Sequence, residues 1–149
     1  MTRTTPTGFV VHQARHKIKT KRVRTQLGGD LSIQIGEFTD ELDSRKQSAG
    51  GPPNYIHSQD ASHMQLAIVM MPAGTAFAMI HDSYGTYACD TDALDYAIRE
   101  AFVLMYHEQD ALGTFKAEQE ARTGTALPDT PAMGTFDVRR VRESPYFFG

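Results

Sequence analysis

The chain has 149 residues, of which 40% are apolar and 22% charged, and its formal net charge is −3. That composition is typical of a soluble globular protein large enough to bury a core. No apolar run is long enough to cross a bilayer, and the polar N-terminus lacks the apolar stretch of a signal peptide. A single cysteine, Cys89, excludes an intramolecular disulfide. We therefore expect a cytoplasmic protein with no membrane partner.

The charge is unevenly distributed along the chain. Residues 1–29 carry seven basic side chains and no acidic one, whereas the remainder carries the other eight basic and all 18 acidic residues. A basic block of this kind indicates a segment that faces a polyanion. It is equally typical of a solvated edge strand whose charges discourage aggregation. Composition leaves both interpretations open.

The N-terminal third predicts an antiparallel meander of three strands. A Pro/Gly turn leads into a short β-branched strand within residues 5–13, and residues 17–25 alternate as a second strand. After a turn signal at 28–30, residues 31–35 alternate as a third. The second strand carries basic side chains that are, by charge alone, candidate nucleic-acid contacts: Lys17, Lys19, Lys21, Arg22 and Arg24.

Two helices are predicted next. Residues 39–48 indicate a short exposed helix with acidic residues in its first turn, where the helix dipole favours them. The sequence Ala-Gly-Gly-Pro-Pro at 49–53 predicts a loop that ends this helix. Residues 54–71 then form a helix with a polar start and an apolar finish, stopped by Pro-Ala-Gly at 72–74.

His57, Asp60 and His63 recur at three-residue steps in the second of these helices. The spacing makes a metal site conceivable. No further ligand cluster lies nearby in the sequence, so helix capping and mutual hydrogen bonding are the favoured interpretation.

An apolar run at Phe77–Ile80 reaches His81-Asp82 and is broken by Ser-Tyr-Gly at 83–85. The pattern predicts a β-hairpin in which Gly85 supplies the positive φ of a tight turn. A carboxylate held near a hairpin turn suits a divalent cation, since Mg²⁺ prefers oxygen ligands. An ordinary surface turn is the alternative.

The C-terminal part is predicted to be helical. A helix is predicted from Thr91, with Asp90 or Thr91 as its N-cap. Its apolar residues recur at three- and four-residue steps from Leu94 and predict a buried stripe. A second helix is predicted from Glu108 to about Arg122, closed by Thr-Gly, and a last short helix or turn is predicted at 136–141. Three aromatic residues close to the C-terminus are expected to dock rather than fray: Tyr146, Phe147 and Phe148.

Two stretches carry a family resemblance. Ala-Met-Ile-His-Asp-Ser-Tyr-Gly-Thr at 78–86 closely resembles the third palm motif of the single-subunit RNA polymerases of phages and mitochondria. Pro-Asn-Tyr-Ile-His-Ser-Gln-Asp-Ala-Ser-His at 53–63 resembles another signature of that family, in the same order along the chain. The stretch at 4–13 is also similar, and the resemblance extends from Thr4 to the aromatic end.

This resemblance implies an α+β fold: an antiparallel β-ribbon and a catalytic β-hairpin packed with helices, as in the C-terminal part of a right-hand polymerase palm. It implies one segment built of a basic β meander at 1–36, a helical part at 37–75, the catalytic hairpin at 76–90, and a helical part with an aromatic tail at 91–149.

The resemblance also implies a DNA-directed RNA polymerase, a nucleotidyltransferase of transcription that joins NTPs by a two-metal mechanism with Mg²⁺ as cofactor. Asp82 is then a catalytic aspartate and metal ligand, and His81 supports the primer end. His57 contacts the ribose of the incoming nucleotide, and Tyr84 is a further substrate-binding residue. The implied partners are the DNA template and the RNA product.

No segment resembles the family's first catalytic aspartate or its fingers Lys and Tyr. We therefore expect the lone chain to be inactive and to need the missing N-terminal polymerase portion as a partner. It is then part of a split polymerase or a partial reading frame of a bacteriophage polymerase, acting in the host cytoplasm. The alternative is an inactive remnant that serves as a nucleic-acid-binding or protein-interaction module.

Overall fold

A computed structural model describes residues 1–25 and 31–147 of the chain. It divides into two compact units, a ribbon unit of Met1 with His12–Asn54 and a core unit of Thr2–Val11 with Tyr55–Gly149. The described residues form short strands and longer helices, which are β1 (Thr2–Thr4), β2 (Val10–His12), β3 (His16–Thr25), β4 (Leu31–Leu42), α1 (Ser44–Met70), β5 (Phe77–Ile80), β6 (Ser83–Thr86), α2 (Thr91–Val103) and α3 (Ala111–Thr123). The fold is therefore of the α+β class, as predicted.

The predicted three-stranded meander is wrong, because β2 pairs with β1 and not with β3. A tight turn brings β1 and β2 together: the amide of Thr5 donates to the carbonyl of Phe9 at 2.9 Å, and that of Gly8 to Thr5 at 2.8 Å. Gly8 has a φ of +83°, a value that favours glycine. The turn thus gives β2 a partner within the first dozen residues.

In the ribbon unit, β3 and β4 form a two-stranded antiparallel ribbon. The predicted helix at 39–48 is wrong over its first half, because β4 continues to Leu42 and α1 begins at Ser44. Phe38 pairs with Ile18 and Leu42 with His16. The hydroxyl of Thr39 donates to the carbonyl of Lys17 at 3.1 Å. Pairing with β3 therefore overrides the local helical preference of this acidic stretch.

The loop predicted at 49–53 is also wrong, because α1 runs without interruption from Ser44 to Met70. Asp43 begins the helix: its carboxylate accepts from the amide of Lys46 at 3.0 Å. Pro52 and Pro53 lie inside the helix. A proline removes a hydrogen-bond donor but locks φ near the helical value. The helix continues although both prolines lack an amide hydrogen.

The core of the chain lies in the core unit, where the C-terminal half of α1 packs against α2 and the β5–β6 hairpin. Its buried residues are Ala67, Met71, Leu94, Ala97, Ile98 and Ala101. The α2 stripe predicted from its periodicity is therefore confirmed. Within the described residues, no helix combines the length and the apolar character needed to cross a bilayer.

The C-terminal elements follow the prediction closely. A π-helical turn at Leu104–Glu108 extends α2, so α3 begins at Ala111 rather than at Glu108. Gly124 ends α3 with a φ of +66°, as its sequence predicts. Phe147 docks as expected, with its ring 5.1 Å from that of Phe102, but the expected docking of Tyr146 is wrong, because its side chain is exposed. Phe148 lies outside the described residues.

Candidate functional site

The tip of the β5–β6 hairpin is a two-residue loop. Ile80 pairs with Ser83, so His81 and Asp82 alone connect the strands, and both are exposed. His81 takes a φ of +54° and is the only residue other than glycine, among those described, with a positive φ. Left-handed backbone at a non-glycine residue is strained, and such strain is concentrated at functional sites. The strained residue here directly precedes the carboxylate.

The predicted role of Gly85 is therefore wrong. Gly85 does not take a positive φ and instead lies within β6, opposite Ala78 of β5. A Cβ at this position would lie 3.1 Å from the Ala78 carbonyl oxygen and 3.5 Å from its Cβ. Glycine suits this position because the two strands approach closely, and not because of backbone dihedral freedom.

Tyr84 connects the hairpin to a buried histidine. Its hydroxyl lies 3.1 Å from Nδ1 of His63, whose Nε2 lies 2.7 Å from the carbonyl oxygen of Ile98 in α2. Because a carbonyl only accepts hydrogen bonds, Nε2 carries the proton. Nδ1 is then an acceptor, and the Tyr84 hydroxyl donates to it.

Burial determines the protonation of these groups. It lowers the pKa of His63 below 6.5, against the opposing effects of the Ile98 carbonyl and the Asp60 charge. Burial also raises the pKa of the Tyr84 hydroxyl, and the negative charges of Asp60 and Asp82 add to this. At neutral pH the pair is therefore a neutral imidazole and a neutral phenol.

The structure separates the three residues considered as a metal site on α1. His63 is buried, with both ring nitrogens engaged, whereas His57 and Asp60 are exposed. Six residues of α-helix turn His57 about 120° away from His63, which explains this difference. No group of three His, Cys, Asp or Glu side chains in the described ranges is placed to hold a metal ion.

The structural role of His63 could have been read from the sequence. Ala67 and Met71 follow it at four-residue steps, and both belong to the buried core. His63 therefore lies on the buried stripe of α1, a position at which a histidine needs internal partners.

The basic candidates of β3 do not share one surface. Lys19 and Lys21 lie opposite Glu37 and Ile35, whereas Arg22 pairs with Gln34. Successive residues of a strand point to opposite faces. Arg22 and Arg24 therefore lie on the face opposite to Lys19 and Lys21.

Lys17 differs from the other basic residues of β3. It forms an ion pair with Glu41 of the neighbouring strand. The hydrogen bond and the charge of Glu41 raise the pKa of Lys17. Its positive charge is therefore partly compensated within the ribbon itself.

Comparison with known proteins places this hairpin and this ribbon in a family. A family model described as DNA-dependent RNA polymerase matches residues 1–127. DNA-directed RNA polymerase 2, chloroplastic/mitochondrial, of Arabidopsis thaliana is 40% identical over 146 residues, which are 97% of this chain and 14% of that protein. DNA-directed RNA polymerase 2A of Nicotiana tabacum is 38% identical over 97% of this chain and 43% of its own length.

DNA-directed RNA polymerase 3B, chloroplastic, of Nicotiana tabacum is 39% identical over 149 residues, which are 15% of its own length. The chain thus spans about a seventh of the length of most of these relatives. The match nevertheless covers both the His-Asp hairpin and the helix that carries His57 and His63. The chain belongs to the phage/mitochondrial-type family of DNA-dependent RNA polymerases.

Proposed function

We propose that this chain supplies the C-terminal part of the palm of a DNA-directed RNA polymerase. The polymerase transfers nucleotides from NTPs to the 3′ end of an RNA on a DNA template. The observation that carries the proposal is the exposed His81-Asp82 loop at the tip of a hairpin whose base is anchored in the core, in a chain of this family. A rigid support of this kind is what a positioned catalytic carboxylate requires.

The donor set at the tip fits one side of a magnesium ion. Asp82 offers an exposed carboxylate, and Mg²⁺ in such enzymes is held by one or two carboxylates together with water and substrate phosphates. The other catalytic carboxylate and the fingers Lys and Tyr would come from a partner segment. When bound, the metal ions of a two-metal site stabilise the charge on the attacking and leaving oxygens.

The chain's own residues have distinct proposed roles. His81 lies next to Asp82 and would contact the primer end, with its backbone fixed by the two-residue loop. His57 is exposed on α1 and would donate from its imidazole to the 2′-hydroxyl of the incoming ribose, the group that distinguishes RNA precursors from DNA precursors. The hydroxyl of Tyr84 is engaged by His63, so its ring is what it can offer to a substrate.

The ribbon is the proposed contact with the nucleic-acid backbone, through Lys17, Lys19, Lys21, Arg22 and Arg24. Because the basic side chains of β3 divide between two faces, Lys19 with Lys21 and Arg22 with Arg24 form separate contacts. Charge reversal at one pair should weaken binding independently of the other. The exposed single Cys89 favours a reducing compartment, and we propose the cytoplasm of a bacteriophage's host.

Templated RNA synthesis by a two-part enzyme tests the proposal. This chain is mixed with the Arabidopsis relative lacking its matching 146 residues, and wild type is compared with Asp82→Asn. We expect synthesis that needs both parts and falls at least about 100-fold in the variant, since loss of a metal ligand removes several kcal/mol of transition-state stabilisation. Asp92→Asn, at another exposed carboxylate, is the matched control and should retain activity.

A mixture that forms a complex but makes no RNA would contradict this assignment. Binding of the chain alone to DNA or RNA, lost on charge reversal at Lys19 and Lys21, would then support a nucleic-acid-binding module instead.

A further inference from the structure

His63 connects its own helix, α1, to two other elements of the core unit, α2 and β6. From α1 it donates to the Ile98 carbonyl of α2 at 2.7 Å and accepts from Tyr84 of β6 at 3.1 Å. Its ring meets those of Tyr84 and Phe102 edge-on, with centroids 5.8 and 5.7 Å apart. Only 5% of the residue is exposed. No solvent-facing role is therefore open to it.

We propose that His63 is a positioning residue for nucleotidyl transfer: its neutral imidazole holds the Tyr84 hydroxyl and thereby fixes the hairpin that presents Asp82. The proposal rests on the proposed function of that hairpin. His63 itself touches neither the tip nor a substrate. It acts through a hydrogen bond to a residue two positions from the carboxylate.

The hairpin needs such a support because it is short. Each of its strands has four residues, and an isolated two-stranded hairpin is at best marginally stable in water. Phe77, Met79 and Tyr84 pack on the core from its inner face. Apolar contacts are not directional, so they keep the hairpin on the core without setting where its tip points. The bond from Tyr84 to His63 has a defined direction.

An imidazole is suited to this place by its two nitrogens. The site needs a donor towards Ile98 and an acceptor towards Tyr84 on one rigid group, and a neutral histidine supplies both. Phe102 packs against the same ring and limits its rotation away from Tyr84. Phe147 packs in turn on Phe102, and the Arg99 guanidinium lies 5.4 Å from the Phe147 ring centroid.

A double-mutant cycle tests the proposal in the two-part polymerase. Tyr84→Phe removes one hydroxyl and keeps the ring, and His63→Phe keeps an aromatic ring without its nitrogens. We expect each variant to lower kcat about five- to twentyfold with the KM for NTPs changed less than twofold. The double variant should be no worse than the more impaired single variant, because both remove the same bond. Losses that multiply would overturn the proposal.

Tyr106→Phe is the matched control. Tyr106 is also a half-buried tyrosine that packs on Phe102, and burial, followed by the charge of Asp60, raises its pKa. Unlike Tyr84, it forms no hydrogen bond to His63. We expect its kcat to stay within twofold of wild type. A loss equal to that of Tyr84→Phe would show that any change beside Phe102 impairs the enzyme, and would overturn the specific role of the bond.

Amide hydrogen exchange of the chain alone keeps this inference separate from the proposed function. Tyr84→Phe should accelerate exchange in β5 and β6 at least about fivefold while leaving α2 unchanged, since only the hairpin loses an anchor. If wild type makes no RNA in the mixture, the proposed function fails, and the exchange result still decides the positioning role. Unchanged exchange in β5 and β6 would refute it, even if His63→Phe does not fold.

Discussion

The left-handed residue at the hairpin tip allows a sharp test of how this site is built. His81 has a φ of +54°, a conformation that costs a non-glycine residue roughly 1–2 kcal/mol. Glycine avoids that cost, but it loses more backbone entropy on folding than other residues, which lowers stability by roughly 0.5–1 kcal/mol. His81→Gly should therefore leave the free energy of hairpin opening unchanged or raise it by up to about 1.5 kcal/mol.

His81→Val should have the opposite effect. A β-branched side chain is strongly disfavoured at positive φ, by roughly 1–3 kcal/mol. The two variants should then differ by at least about 1 kcal/mol, which corresponds to about fivefold or more in the opening equilibrium. Amide exchange of β5 and β6, measured where opening and closing are fast, reports that equilibrium directly.

Ser83→Val is the matched control. Ser83 is exposed, directly follows the loop and lies in β6 with an ordinary negative φ. Valine suits a strand, so this variant should open within about 0.5 kcal/mol of wild type. If His81→Val were as stable as His81→Gly, the loop would not hold residue 81 in the left-handed region, and the argument for strain at the tip would be refuted. RNA synthesis should fall in both His81 variants, because the imidazole is lost from each.

Three further predictions concern the support of the hairpin. Acidification below pH 6.5 should lower the free energy of unfolding. Burial depresses the pKa of His63 in the folded state, so stability that is present above pH 6.5 is lost as the pH falls through the folded pKa. The loss is about 1.4 kcal/mol for each unit by which the folded pKa lies below the unfolded pKa. Urea unfolding at pH 7 and about pH 5 should show a smaller loss in His63→Phe. Phe147→Ala should destabilise the chain by about 1–2 kcal/mol in the same assay, through its contacts with Phe102 and a guanidinium, whereas the exposed Tyr146→Ala should not. Gly85→Ala should cost about 1–3 kcal/mol, because its Cβ would lie 3.1 Å from a β5 carbonyl oxygen, and normal hairpin exchange in this variant would contradict that.

Features that depend only on residues close together in the sequence can be predicted correctly. The buried stripe of α2 follows from apolar residues at helical spacing, and the end of α3 follows from Gly124, which takes the left-handed φ that this position requires. The hairpin's location was also predictable, because an apolar run, a polar break and a second alternation specify two strands. In each case neighbours in sequence are also neighbours in space.

Features decided by distant partners were predicted wrongly. Residues 39–42 have the local pattern of a helix start, but they pair with β3 and form a strand. The two prolines are typical of a loop, but α1 continues through them. The sequence pattern places Gly85 in the turn, since glycine takes a positive φ most readily, whereas in the structure His81 holds the positive φ. Strand pairing and close approach are long-range effects that local propensity does not report.

The same distinction applies to the site itself. The tip of the hairpin is local in sequence, so a motif identifies it, but its support comes from His63 on α1 and from the Ile98 carbonyl on α2, 35 residues further along the chain. A carboxylate misplaced by about 1 Å can cost as much rate as a missing one. We therefore predict that substitution of His63, a buried residue of α1 with no contact to substrate, lowers kcat of the proposed nucleotidyl transfer. Substitution of the buried residues of α1 and α2 that do not meet the Tyr84 hydroxyl should affect stability alone.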